Sequence, residues 1–216
     1  MESGVAVKGR LVQWVTDAER EAMFALMQEF FLGVCRGQFE NDLAEKSHVI
    51  LLEDAGVVRG FSTLLVRDGV VHSGDTIVHR DAWGSSALAR TWLETIRELK
   101  PEYWLLITSG FRTYRFLPVF WKEFWPRHDS PTSPALLDEL ARQRFGNQYR
   151  AGIVRFAQPQ VLRNGLKEIP SGRLADPHIQ FFAQNNPGHA AGDELVCLCP
   201  LTAANQTPAG RRLVAL

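Results

Sequence analysis

The sequence predicts an α+β domain with a mixed central sheet flanked by helices, and three observations carry that prediction. Residues 48–78 hold three apolar, β-branched runs separated by turn-forming groups, which is the pattern of a strand meander. The third run breaks into Asp81-Ala82-Trp83-Gly84-Ser85-Ser86, after which Leu88, Trp92, Ile96 and Leu99 recur at helical spacing. Residues 102–109, EYWLLITS, are then too continuously apolar for a surface strand. Because a helix precedes them, they can pair parallel to the last meander strand.

The elements follow in order. Residues 10–15 read as a short strand, and Thr16-Asp17-Ala18-Glu19 is a capping box that opens a helix. Met23, Leu26, Met27, Phe30 and Phe31 form its inner side, either plain core or a wall facing an acyl chain. Residues 39–46 suit a second short helix. Runs 48–53 and 57–67 flank Asp54-Ala55-Gly56 as a hairpin, and Asp68-Gly69 leads into the strand 70–78. Residues 111–125 are dense in aromatics, with Pro118 either kinking a helix or starting one. A helix over 135–144, a strand over 151–156, a short helix from 176 or 177 to 183 and a strand over 194–201 complete the series, with Asn185-Asn186-Pro187-Gly188 as a breaker. We expect residues 1–150 to form the core and residues 151–216 a C-terminal extension that completes or caps the same sheet.

A chain of 216 residues is long enough for a full core. Its 24 basic and 24 acidic side chains balance, which gives no charge argument for nucleic acid or an anionic membrane surface. No apolar run is long enough to span a bilayer and the opening MESGVAVKGR lacks a leader's apolar core, so a cytoplasmic protein is expected. Cys35, Cys197 and Cys199 do not make a disulfide framework, and no nearby CxxC or His pair completes a metal set. Cys197 and Cys199 would share one strand face as buried thiols.

The break after residue 78 brings small residues and first-turn N–H groups to a helix N-terminus, where an anion is favoured. This order, β-α-α-β-β-β-turn-α-β-α over residues 10–125, resembles the GNAT (N-acetyltransferase) superfamily. In that family the strand ends V-x-P-E-Y-R-G-x-G-x-G/A; here stands Val78-His79-Arg80-Asp81-Ala82-Trp83-Gly84-Ser85-Ser86-Ala87-Leu88. The valine, an acidic residue, the first glycine and a run of small residues match. The arginine is replaced by Trp83, and where the family has a tyrosine this chain has Trp121 within FWKEFW.

The resemblance implies a GNAT-like fold and an acyltransferase that uses acyl-CoA, or the phosphopantetheine of an acyl carrier protein, as co-substrate, with no metal. The acceptor would be an amine of a small molecule or peptide, and the aromatic wealth suits a medium or long acyl chain. The carrier would contact Ile77, Val78 and His79 at the strand end and Trp83, Gly84, Ser85, Ser86 and Ala87 in the turn. Ser109, at the end of the apolar strand, and Arg112 and Arg115 beyond it are further candidates for phosphate or carboxylate contact. Acyl transfer needs a base for the amine and an acid for the departing thiolate. His72 and Asp75 are the candidate bases, Asp75 only if desolvated, and Gly74 allows a bulge that turns either one inward. Tyr114 is the candidate acid, preferred to Tyr103. A non-catalytic GNAT-like protein that binds a ligand or partner is the alternative, and a homodimer is among the assemblies allowed.

Overall fold

The computed structural model describes residues 7–130 and 132–214; the ends of the two expected segments, and Pro131, lie outside them. In chain order the elements are β1 (Lys8–Val12), α1 (Asp17–Phe30), β2 (Phe31–Leu32), α2 (Arg36–Ala44), β3 (His48–Asp54), β4 (Val57–Arg67), β5 (Val70–Val78) and α3 (Ala87–Leu99). There follow β6 (Tyr103–Thr108), α4 (Phe111–Tyr114), α5 (Phe116–Phe120), α6 (Ala135–Phe145), β7 (Tyr149–Arg150), β8 (Ile153–Val154), β9 (Val161–Leu162), α7 (Pro177–Asn185), β10 (Glu194–Pro200) and α8 (Pro208–Val214). The structure is α+β, and the expected order of elements holds from residue 10 to residue 120, except that β2 intervenes between α1 and α2 and the last helix is split into α4 and α5.

The chain divides into two compact units. The first comprises Met1–Phe30, Val34–Pro101 and Arg212–Leu216. Its strands pair antiparallel, β1 with β3, β3 with β4 and β4 with β5. Both hairpin turns are forced into the left-handed region, Ala55 and Gly56 at φ 48° and 79°, Asp68 and Gly69 at 50° and 75°. Two successive residues of positive φ match the right-handed twist of the strands they join. Helix α1 opens on the expected capping box: the Thr16 N–H donates to Glu19 Oε2 at 2.6 Å and the Glu19 N–H to Thr16 Oγ1 at 3.3 Å. Its buried face is Met23, Phe24, Leu26, Met27 and Phe30. Helix α3 lies close on β1, where a Cβ at Gly9 would stand 2.0 Å from Thr91 Oγ1.

The second unit comprises Phe31–Gly33 and Glu102–Arg211. Strand β10 pairs antiparallel with both β6 and β8, so the 151–216 segment supplies β6 with a neighbour. Cys197 and Cys199 are fully buried on β10, and burial pushes both thiols up. The expected single strand over 151–156 is instead a hairpin of β7 and β8 turning at Ala151 and Gly152, whose φ values are 49° and 82°. Residues 111–125 form two short helices interrupted at Arg115, with Pro118 in the first turn of α5 where its missing N–H is no loss. The helix expected over 39–46 runs earlier, as α2. Among the described residues no helix is long and apolar enough to cross a membrane.

Candidate functional site

Strand β5 is regular except at one place. Ser62 of β4 faces Thr76, and Leu64 faces Ser73, so Gly74 and Asp75 together stand opposite Thr63 alone. Two residues against one is a β-bulge, the irregularity anticipated at Gly74. The glycine is required by crowding: a Cβ at Gly74 would lie 2.6 Å from Thr63 Oγ1 and 3.0 Å from Lys46 Cε. Around the bulge the polar groups are withdrawn from water. Ser62 and Thr76 satisfy each other, hydroxyl to hydroxyl at 2.8 Å, whereas the buried Thr63 hydroxyl has no hydrogen-bond partner among the described residues.

Asp75 is partly buried, and its carboxyl makes no hydrogen bond among the described residues. Burial pushes its carboxyl up to about 7, the nearby Asp42 carboxylate adding to the rise and the Lys46 ammonium opposing it. Desolvation of the charged form is thus the dominant cause, the condition set for Asp75 to act as a base near neutral pH. His72 is also buried, facing Leu65 across the ladder ahead of the bulge.

Beyond β5 the chain turns toward α3. Ile77 is buried opposite Phe61, and Val78 lies opposite Gly60. The His79 N–H donates to Arg59 O at 2.7 Å, while His79 Nδ1 accepts from the Asp81 N–H at 3.3 Å and Nε2 lies 3.7 Å from Glu29. Trp83, 44% exposed, anchors its indole N–H on Val78 O at 2.7 Å. The Arg80 guanidinium stands 5.2 Å from that ring, a cation beside the turn three residues ahead of Trp83. Gly84 is exposed with open space where a Cβ would go. Ser85 Oγ accepts the Ala87 N–H at 3.1 Å, and the Ser85 N–H is used by Ala82 O. The N–H groups of Gly84, Ser86, Leu88 and Ala89 make no hydrogen bond among the described residues. The donors left unbonded around the turn among the described residues are therefore those at 84, 86, 88 and 89, which overlap the expected 84–87.

The remaining candidates belong to the second unit. Ser109 is buried at the end of β6. Arg112 donates to Leu166 O at 3.1 Å and stacks 4.7 Å over Phe111; Arg115 lies 3.2 Å from Asp176. Both guanidiniums have structural partners. Tyr114 corrects an expectation. It has no exposed surface, its hydroxyl donates to Pro126 O at 3.0 Å, and it packs among Phe124, Phe181 and Phe182. Burial raises its ionisation far beyond neutral, and it serves as a core anchor.

Reasoning on the sequence missed Lys46, Asp42 and Thr63. The i, i+4 spacing of Asp42 and Lys46 is visible in the chain, but reads as an ordinary surface pair on a helix. No group of three or more His, Cys, Asp or Glu that could hold a metal occurs among the described residues.

No protein-family model matches the chain, and no curated protein matches it. Solved structures similar to it include an acyl-CoA N-acyltransferase from Pseudomonas aeruginosa, 18% identical over 48% of this chain and 80% of that one, with a TM-score of 0.41. The ribosomal-protein-S18-alanine N-acetyltransferase from Escherichia coli is 12% identical, covering 91% of this chain and 96% of that one, at 0.46. A GNAT family N-acetyltransferase from Escherichia coli in complex with CoA is 14% identical over 54% and 71% of the two chains, at 0.41.

Proposed function

We propose that this chain is an N-acyltransferase that moves an acyl group from acyl-CoA, or from the phosphopantetheine of an acyl carrier protein, to an amine of a small molecule or peptide. The observation that carries the reading is Asp75: a desolvated carboxyl at the one bulge of β5, with no hydrogen bond to hold it ionised. Such a group takes a proton near neutral pH, which a solvated carboxylate does poorly. The element order and the Val78–Leu88 segment support the same class.

In this scheme Asp75 accepts a proton from the acceptor's ammonium, and the freed nitrogen lone pair attacks the thioester carbonyl carbon. The C–S bond breaks as the amide forms and the thiolate leaves with the sulfur electron pair; the nitrogen's second proton passes through water to that thiolate, giving the free thiol, and Asp75 then releases the first proton to solvent. The N–H groups of Gly84, Ser86, Leu88 and Ala89 are the donors available to the carrier's phosphates, with the Arg80 cation beside them.

The test is a thermal-shift series with acetyl-CoA, longer acyl-CoAs and free CoA, followed by thiol release with a panel of primary amines. A ligand at a hundred times its Kd raises stability by about 2.7 kcal/mol, an easily read rise in midpoint. Stabilisation by an acyl-CoA together with thiol release that depends on Asp75 is expected. No stabilisation by any acyl-CoA, and no release with any amine, refutes the reading; stabilisation without release leaves a ligand-binding protein.

A further inference from the structure

Lys46 bears on the same site in a way the proposed reaction does not itself require. It follows α2, and its side chain is only 2% exposed. Its ammonium stands 2.6 Å from Asp42 Oδ1, one helical turn earlier, and that is its one hydrogen bond among the described residues. The rest of the side chain lies across the bulge: a Cβ at Gly74 would meet Lys46 Cε at 3.0 Å and Nζ at 3.2 Å. The lysine can lie there because residue 74 carries no side chain.

A buried ammonium is costly unless anions surround it. Asp42, 39% exposed, covers one side. Toward the bulge, the charged group that senses the ammonium is Asp75, the residue after the glycine. Strand β4 opposite presents only Ser62, Thr63 and Leu64, and the buried face of α1 is apolar. On β5 itself the other titratable side chain is His72.

We propose that Lys46 is a positioning residue for Asp75: lying flat on Gly74 and tethered by Asp42, it sets the charge balance at the carboxyl that takes the substrate proton. This rests on the reading of Asp75 as the proton acceptor. Asp42 and Lys46 then act on Asp75 with opposite sign. Removing the cation makes the Asp75 carboxylate harder to form, and removing Asp42 makes it easier, although both changes break the same ion pair.

The experiment measures the titration of the Asp75 carboxyl by carbon-13 NMR, assigned by its loss in Asp75→Asn. Lys46→Met is expected to move the midpoint up by about half to one pH unit, and Asp42→Asn to move it down by a similar amount. At pH 7 a rise of one unit cuts the ionised fraction, and with it thiol release from acetyl-CoA in the presence of the fastest panel amine, about five-fold. Asp42 lies on α2 with its side chain 39% exposed, so its asparagine variant keeps the test alive if Lys46→Met fails to fold. Opposed movements in titration and rate support the proposal. Opposed movements in titration with no thiol release from any protein also support it, while removing the transferase reading. A carboxyl midpoint unmoved in Asp42→Asn, or moved the same way in both variants, overturns it.

Discussion

Replacing Asp75 by asparagine should make the protein more stable and less active at once. The carboxyl ionises at about 7 in the folded chain against 3.8 for an unhindered aspartate. The folded state therefore holds this proton more tightly than the unfolded state does. Below about pH 4 both states are protonated and nothing is lost; between pH 4 and 7 ionisation increasingly favours unfolding; above 7 the whole penalty is present. A difference of about three pH units corresponds to about 4 kcal/mol, an upper figure because the residue keeps some contact with solvent. Asparagine has nearly the same shape and no charge to desolvate. Urea unfolding of the two proteins across this range should show the variant ahead by about 2 to 4 kcal/mol at pH 8 and by about 1 kcal/mol or less at pH 4.5. Other carboxyl groups titrate alike in both proteins and drop out of the difference. Thiol release should fall by about a hundred-fold or more, the size of effect general bases supply. A stability difference that stays flat from pH 4.5 to 8 would refute the claim that Asp75 is held desolvated.

Four further substitutions divide the site from the scaffold. Gly74→Ala puts a methyl 2.6 Å from Thr63 Oγ1 and against Lys46, so unfolding measurements should show a loss of about 1 to 3 kcal/mol, with the Asp75 midpoint rising as in Lys46→Met. Tyr114→Phe should cost about 0.5 to 1.5 kcal/mol by removing the hydrogen bond to the partly buried Pro126 carbonyl, and leave thiol release per folded molecule unaltered. Arg80→Ala should weaken acyl-CoA binding about two- to ten-fold, read as a smaller thermal shift that shrinks further with salt, and leave the Asp75 titration in place. Thr16→Ala removes one half of the α1 capping box and should lower stability by about 1 kcal/mol without touching turnover.

The parts of this protein legible in its sequence are those whose cause is local. Thr16 and Glu19 cap α1 because both halves of the device lie within four residues. Ala55-Gly56 and Asp68-Gly69 turn the meander because the glycine sits where positive φ is needed. Ala151-Gly152 turns a hairpin by the same means, but the two-residue strands beside it are too short to show alternation, so the segment reads as one strand. Tyr114 fails for a different reason. Its spacing from Trp121 does not reveal that Arg115 breaks the helix, nor that Phe181 and Phe182, far along the chain, close over its ring. Lys46 is the extreme case: its near partner Asp42 is visible, and the glycine that lets it lie buried is 28 positions away.

The proposed role of the bulge as a proton acceptor, as against a structural ion cluster, rests on its incompleteness. A pair kept only for stability closes on itself, each charge matched and each lone pair used. Here Asp42 and Lys46 meet at 2.6 Å, yet among the described residues the Thr63 hydroxyl has no partner and the Asp75 carboxyl no hydrogen bond. The carboxyl is near enough to Asp42 to be raised by it and near enough to Lys46 to be lowered, with burial tipping the balance upward. An arriving ammonium would supply the missing positive charge, stabilise the carboxylate, and then find itself hydrogen-bonded to an acceptor whose affinity for a proton recovers as the ammonium gives one up. That reversal is what proton removal from an amine near pH 7 requires, and it follows from one extra residue in β5, one glycine, and a lysine lying where a side chain at 74 would have been.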